Sequence, residues 1–186
     1  KRPIIRKRGP WPFVPFSGAM SMPVAQPPNI ETAPRRRLRR VIGAVAASME
    51  PAKVSKLLVA NRGEIAVRTM VAARALGMRS VGVFAAPDSE CLHVQTADEA
   101  VEVFDEHASG AIAPYLNVEG IVQAAKETGA QAIAPGYGFL SENYDLARRC
   151  EEEGLIFVGP SKEALALFGD KSRARELAER IGVPIC

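Results

Sequence analysis

The residues best placed by type and spacing to do chemistry lie in Pro135-Gly136-Tyr137-Gly138-Phe139-Leu140-Ser141-Glu142-Asn143, directly after the short run Gln131-Ala132-Ile133-Ala134. Two glycines flanking one aromatic let the backbone come close to a bound molecule, and Ser141 or Asn143 can cap a following helix whose N-terminal N–H groups face the turn. At the carboxyl end of a strand in an open α/β sheet, such a turn is where ligands lie. The same spacing also makes an ordinary tight turn, and spacing alone does not separate the two. Lys171, in Gly169-Asp170-Lys171, offers a point charge that suits a phosphate or simply a solvated helix surface. The two histidines, His93 and His107, show no His-x-x-x-His arrangement, which argues against a histidine-based metal site. Cys91, Cys150 and Cys186 are odd in number and contain no Cys-x-x-Cys pair. They read as reduced thiols, without a disulfide framework or a zinc site.

The chain that must position these groups has 186 residues, enough for one domain with a core, and the apolar and charged fractions of a soluble globular protein. Its charge is unevenly spread. Residues 1–49 hold ten Lys and Arg against the single acid Glu31, a net charge of +9, and residues 50–186 carry −6. Nucleic-acid binding is therefore not expected of the globular part, despite a whole-chain charge of +3. No apolar run approaches the ~20 residues of a membrane span. Eight prolines between Pro3 and Pro34 break any periodicity, so residues 1–52 are expected to be a disordered, basic, Pro-rich segment, with Arg35-Arg36-Arg37-Leu38-Arg39-Arg40 as a solvated cluster. Its Arg-rich, acid-poor composition suits either an organelle transit peptide or upstream sequence outside the fold. The first would place the protein in mitochondria or plastids, the second in the cytoplasm.

From Val54 onward apolar runs alternate with helical patterns. Strands are predicted at 56–60, 79–84, 100–104, 131–134 and 155–158. A helix opening after Asn61-Arg62-Gly63-Glu64 is expected to place Ile65, Thr69, Ala72 and Leu76 on its apolar face. A short helical stretch spans 93–96, a helix capped by Asn117 buries Val118, Ile121, Val122 and Ala125, and further helices run to Glu153, from Ser161 to Phe168 and over 170–181. Residues 105–114 are expected to be a polar loop. This order means a doubly wound parallel sheet of Rossmann-like α/β class, with the turns after successive strands collected along one edge.

Six blocks carry a family resemblance: Lys56 to Ala66 (KLLVANRGEIA), Leu92-His93-Val94 with Ala97-Asp98-Glu99-Ala100, Tyr115-Leu116-Asn117, Pro135 to Asn143, Phe157-Val158-Gly159-Pro160, and Gly169-Asp170-Lys171. In order and near-spacing they resemble the N-terminal part of biotin carboxylase, from about Lys56 to Cys186. The resemblance implies the biotin-carboxylase component of a biotin-dependent carboxylase, as in pyruvate carboxylase or acyl-CoA carboxylases. Such enzymes are ATP-dependent ligases that use MgATP and bicarbonate to make carboxyphosphate, whose carbon dioxide unit passes to N1 of biotin. The protein contributes mainly positioning and electrostatic stabilisation. It further implies that residues 53–169 form the Rossmann-like domain preceding an ATP-grasp domain, that 170–186 begin that next domain in truncated form, and that the partners are biotin carboxyl carrier and carboxyltransferase domains. The full-length protein would be a homo-oligomer.

Residue roles implied by the resemblance are few. Lys171 matches a lysine that contacts ATP, and Tyr137 and Gly138 match positions beside the biotin ring, where a flat aromatic next to exposed backbone is suitable. For these two a tight turn with a packed tyrosine stands as the alternative. Asn61, Arg62 and Glu64 read as cap and ion-pair residues that hold the domain together, His93 as a structural histidine with satisfied hydrogen bonds, and Glu142 as an exposed residue or an arginine's partner. No residue of this chain is assigned to catalysis or to metal. The ligands for Mg²⁺, the glycine-rich phosphate loop, the bicarbonate arginine and the glutamate base belong to the family beyond Cys186, so this chain alone is expected to fold, to bind ATP weakly and to be inactive. Ala134 stands where the family has a histidine, and the stretch from Glu99 to Tyr115 is longer than the family's. A free-standing, non-catalytic Rossmann-like module that binds a nucleotide or pairs with a carboxylase subunit is the alternative reading.

Overall fold

In a parallel sheet covered on both faces, strands read as continuous apolar runs, and the chain after Val54 has that pattern. The computed structural model describes residues 4–6, 54–105 and 110–185. Its strands are β1 (Ile4–Arg6), β2 (Lys56–Val59), β3 (Arg79–Phe84), β4 (Glu99–Glu102), β5 (Ala132–Ala134) and β6 (Ile156–Phe157). They form one sheet in the order β1-β4-β3-β2-β5-β6, with β2 to β6 mutually parallel and β1 antiparallel to β4 at the edge. This is the doubly wound α/β fold expected. Of the basic segment 1–52, only Ile4–Arg6 are described, pairing with Glu99–Val101. The expectations for the rest of that segment, and for His107 and Cys186, lie outside the described residues.

The helices are α1 (Gly63–Ala75), α2 (Leu92–Thr96), α3 (Ala113–Leu116), α4 (Val118–Thr128), α5 (Tyr144–Glu152), α6 (Lys162–Phe168) and α7 (Lys171–Arg180). Alternate strand residues face opposite sides of the sheet. Leu58, Val81, Val83, Val101 and Ile133 pack with Ile121, Val122 and Ala125 of α4 and Leu146 and Cys150 of α5. On the other face Leu57, Val59, Ala132 and Ala134 pack with Ala66, Met70 and Ala73 of α1.

The α1 face differs from the one predicted. Ala66, Met70 and Ala73 are buried, whereas Leu76 is 75 % exposed and Ala72 also faces solvent. Both stripes have helical spacing, and the buried one is the stripe whose long member, Met70, fits over Gly82 of β3 between two alanines. At Gly82 of β3 a Cβ would sit 3.1 Å from the Met70 methyl, so that strand offers room for a long side chain only where its own is missing. On α4 Ile121, Val122 and Ala125 are buried and Val118 packs partly buried against the same cluster, with the Asn117 side-chain oxygen Oδ1 accepting from the Gly120 N–H at 2.9 Å. Of the two candidate caps for α5, Asn143 takes the role, accepting from the Leu146 N–H at 2.8 Å. The expected loop before Asn117 contains α3, which carries the fully buried Tyr115. Among the described residues no helix is long and apolar enough to cross a membrane.

Candidate functional site

Counting outward from β2, the chain lays β3 and β4 on one side and then reverses to lay β5 and β6 on the other. The crevice between β2 and β5 is thus the topological switch point, where open α/β sheets receive ligands. Two turns emerge side by side there. Ala60, just past β2, donates its N–H to the Ala134 carbonyl at 2.9 Å, so Asn61-Arg62 leaves β2 next to Pro135 to Phe139 leaving β5. Between them lies a shallow hollow of about 270 Å³ lined by Asn61, Arg62, Glu64, Ile65, Tyr137, Gly138 and Phe139.

Asn61 joins the two turns. It is 2 % exposed, and its side-chain amide donates to the Pro135 carbonyl at 2.7 Å and to the Tyr137 carbonyl at 2.9 Å. Its own oxygen accepts the Arg62 N–H at 2.8 Å. Gly136 crosses over α1 with φ +69°, and a Cβ there would stand 3.0 Å from Cγ1 of Ile65. Gly138, at φ +66°, meets nothing within 4 Å of the corresponding position and opens onto solvent. The Tyr137 ring is 64 % exposed, so it is no packed core tyrosine. Ala134, where the family resemblance leads one to expect a histidine, is buried in the apolar cluster beneath α1, and its strand pairing with Val59 is regular.

Phe139 is the one described non-glycine residue with positive φ, at 42°. Its ring stacks on that of Tyr115, with centroids 5.5 Å apart and planes at 16°. The Tyr115 hydroxyl donates to Oδ2 of Asp88 at 2.6 Å and accepts the Ala85 N–H at 3.2 Å. Burial, and then the Asp88 hydrogen bond, hold that hydroxyl well above the usual phenol pKa. Arg62 reaches the other Asp88 oxygen, Oδ1, at 2.8 Å, and its guanidinium carbon lies 5.6 Å from the centre of the Tyr115 ring. The ion-pair role expected of Arg62 is therefore seen, and its partner is Asp88. Glu64 is exposed in the first turn of α1.

His93 is buried, but the satisfied hydrogen bonds expected of it are absent. It is 1 % exposed, and neither ring nitrogen has a hydrogen-bond partner. Burial holds its pKa below the ordinary value, opposed more weakly by the Val83 backbone, at a geometry short of a hydrogen bond, and by the Asp88 carboxylate. At the opposite ends of the strands, Glu99 receives Lys56 at 3.0 Å and Arg79 at 2.8 Å, an ion-pair cluster that ties together the starts of β2, β3 and β4.

Lys171 is the first residue of α7, exposed, and not among the residues that line the hollow. Asp170 caps that helix, accepting from the N–H groups of Ser172 at 2.9 Å and Arg173 at 3.2 Å. The structure thus brings Tyr137 and Gly138 together with Asn61 and Arg62, and leaves Lys171 outside that group. Sequence reasoning missed Asp88, Tyr115 and Phe139. Asp88 was accessible in principle, as an acid in the loop after the strand adjoining β2; a phenol buried against it leaves no mark in spacing.

The hollow is smaller than the ~300–1,000 Å³ typical of small-molecule sites, and its groups are a flat aromatic face, open backbone, a guanidinium and a carboxylate. Among the described residues no three His, Cys, Asp or Glu side chains are grouped so as to hold a metal ion.

The family described as biotin carboxylase, N-terminal domain, matches residues 53–165. The chain is 50 % identical over 137 residues to pyruvate carboxylase of Bacillus subtilis, covering 74 % of this chain and 12 % of that protein. It is 51 % identical over 132 residues to biotin carboxylase 1 of the same organism, covering 71 % of this chain and 29 % of that one. The fold superposes on the crystal structure of a complete multifunctional pyruvate carboxylase from Rhizobium etli with a TM-score of 0.68 at 42 % identity, over 72 % of this chain and 13 % of that chain. In each case the chain spans less than a third of the protein it resembles.

Proposed function

Because the chain belongs to the biotin carboxylase N-terminal domain family, we propose that it supplies one wall of the biotin site of a biotin-dependent carboxylase, with Tyr137 and Gly138 against the biotin ring. The observation that carries this is the exposed Tyr137 face beside the open backbone of Gly138, at the sheet's switch point. A fused ureido ring presents a flat face and a carbonyl. An uncovered phenol ring suits the first, and an unobstructed backbone suits close approach of the second. Bound biotin supplies the ureido nitrogen that receives the carboxyl group. The chain's part is to orient that ring and keep water from one side of it.

Lys171, exposed at the start of α7, is proposed to place its charge against the phosphates of ATP. The described residues do not fit a Mg²⁺ site, so no step of the reaction is routed through one here. The whole protein is proposed to use MgATP and bicarbonate to carboxylate biotin borne on a carrier domain, with a carboxyltransferase domain choosing pyruvate, an acyl-CoA or another acceptor, and to work as a homo-oligomer. If residues 1–52 act as a transit peptide, it does so in mitochondria or plastids.

The test is a chimaera in which residues 56–186 replace their counterpart in the Bacillus subtilis biotin carboxylase 1. Retained ATP-dependent carboxylation of free biotin is expected, with Tyr137→Ala raising KM for biotin and Lys171→Met raising KM for ATP. A folded, active chimaera whose KM for biotin ignores Tyr137→Ala would sink the biotin assignment. The 186-residue chain by itself should show no tight MgATP binding by calorimetry, since one lysine and one turn make only part of a phosphate site.

A further inference from the structure

We infer that Asn61 is the positioning residue of this wall: its buried amide holds the Tyr137–Gly138 peptide so that the Gly138 N–H faces outward as a donor to the ligand. This rests on the biotin reading above. Asn61 contacts no solvent-facing surface large enough to bind anything itself, being 2 % exposed. It acts through the opposite turn. Both amide hydrogens are committed, one to the Pro135 carbonyl at 2.7 Å and one to the Tyr137 carbonyl at 2.9 Å. Those two carbonyls bracket Gly136, the most permissive residue of the turn, and so fix the peptide planes on either side of the Gly136–Tyr137 pair.

The consequence follows from peptide geometry. In a planar trans peptide the C=O and the next N–H point in opposite directions, and the described chain contains no cis peptide. With the Tyr137 carbonyl turned to the buried amide, the Gly138 N–H is directed away from it, and Gly138 itself is exposed, with nothing within 4 Å of its Cβ position. Arg62 keeps the amide itself in register. Its N–H occupies the Asn61 oxygen at 2.8 Å, which orients the two donors toward the turn, and its guanidinium is anchored on Asp88. Only an amide side chain gives one acceptor and two donors in one plane at this reach.

Asn61→Asp keeps the shape and the Arg62 contact but sets a carboxylate oxygen against two carbonyls. In the 186-residue chain, backbone order parameters of Tyr137 and Gly138 should fall from about 0.85 toward about 0.6, with those of α4 unchanged. In the chimaera the same substitution should raise KM for free biotin about tenfold and leave KM for ATP within about twofold, the loss of roughly one hydrogen bond. Asn61→Ser, which retains a hydroxyl donor and buries no charge, should show a smaller shift of the same kind and serves if the aspartate variant does not fold. Unchanged order parameters and unchanged KM for biotin, alongside a raised KM in Tyr137→Ala, would overturn the inference while the biotin reading stands. Loss of order spread over α4 with both KM values rising together would show a merely structural asparagine, and also overturns it. No response of KM for biotin to either Asn61→Asp or Tyr137→Ala removes the biotin reading and this inference with it.

Discussion

The Tyr115 hydroxyl lies 2.6 Å from Oδ2 of Asp88, in a contact shielded from solvent, and through it the loop after β3 is bound to the helix that carries the stacking partner of Phe139. Asp88 is shared, because Arg62 from the turn after β2 holds its other oxygen. Three segments far apart in sequence therefore meet on one carboxylate.

Tyr115→Phe keeps the ring stack but leaves Oδ2 of Asp88 and the Ala85 N–H without their partner. Loss of about 1–3 kcal/mol is expected, the cost of stranding buried polar groups. Urea unfolding should show a lower midpoint at unchanged m-value.

Gly136 and Gly138 have nearly the same positive φ but different surroundings. Alanine at either site bears the left-handed penalty of about 1–2 kcal/mol, and only at Gly136 does the new methyl also press on Ile65. Gly136→Ala should be the more destabilising by about 1 kcal/mol, since overpacking costs of that order. Parallel thermal melts of the two variants would check the difference.

His93 makes stability depend on pH in a defined direction. Its pKa is lower folded than unfolded, so between the two values the unfolded chain holds the extra proton. Above about pH 6.5, the unfolded value, His93 is neutral in both states and has no effect. As pH falls below that value the folded state loses up to about 1.4 kcal/mol per pH unit, until the folded pKa is passed. Denaturation of the parent chain and of His93→Asn at pH 7.5 and pH 5.5 should show a smaller drop in the variant.

Cys150 is fully buried, and burial pushes its thiol up to about 11. With little thiolate and no access it should resist a thiol reagent at pH 8 until urea opens the fold. Cys91, half-buried, should react first. Peptide mapping after timed labelling distinguishes the two.

The architecture was legible because it depends on patterns one residue at a time: apolar runs for β2, β3 and β5, and side-chain caps such as Asn117 and Ser161, whose bonds to Gly120 and Ala164 are present. The α1 face was not, since Leu76 and Met70 both sit at helical spacing and the choice is made by how close the helix comes to Gly82. The turn at Tyr137 was legible as a turn with an aromatic between glycines. Its exposure and its fastening by Asn61 were not, because they belong to a pair of residues separated by 76 positions and to no local signal. For His93 the sequence suggested satisfied hydrogen bonds, but partners depend on what the neighbouring strand presents, and here neither ring nitrogen makes one.

That same separation has a consequence for assembly. The bond from Asn61 to Pro135 closes across 74 residues, so a nascent chain that has made β2, α1 and β3 still has no hollow at all. Asn61 waits with its amide unpaired until β5 docks beside β2, the kind of distant closure that comes late and slows folding. Chains cut short before Ala132 would hold β2, β3 and β4 but neither Tyr137 nor Gly138, and so no hollow.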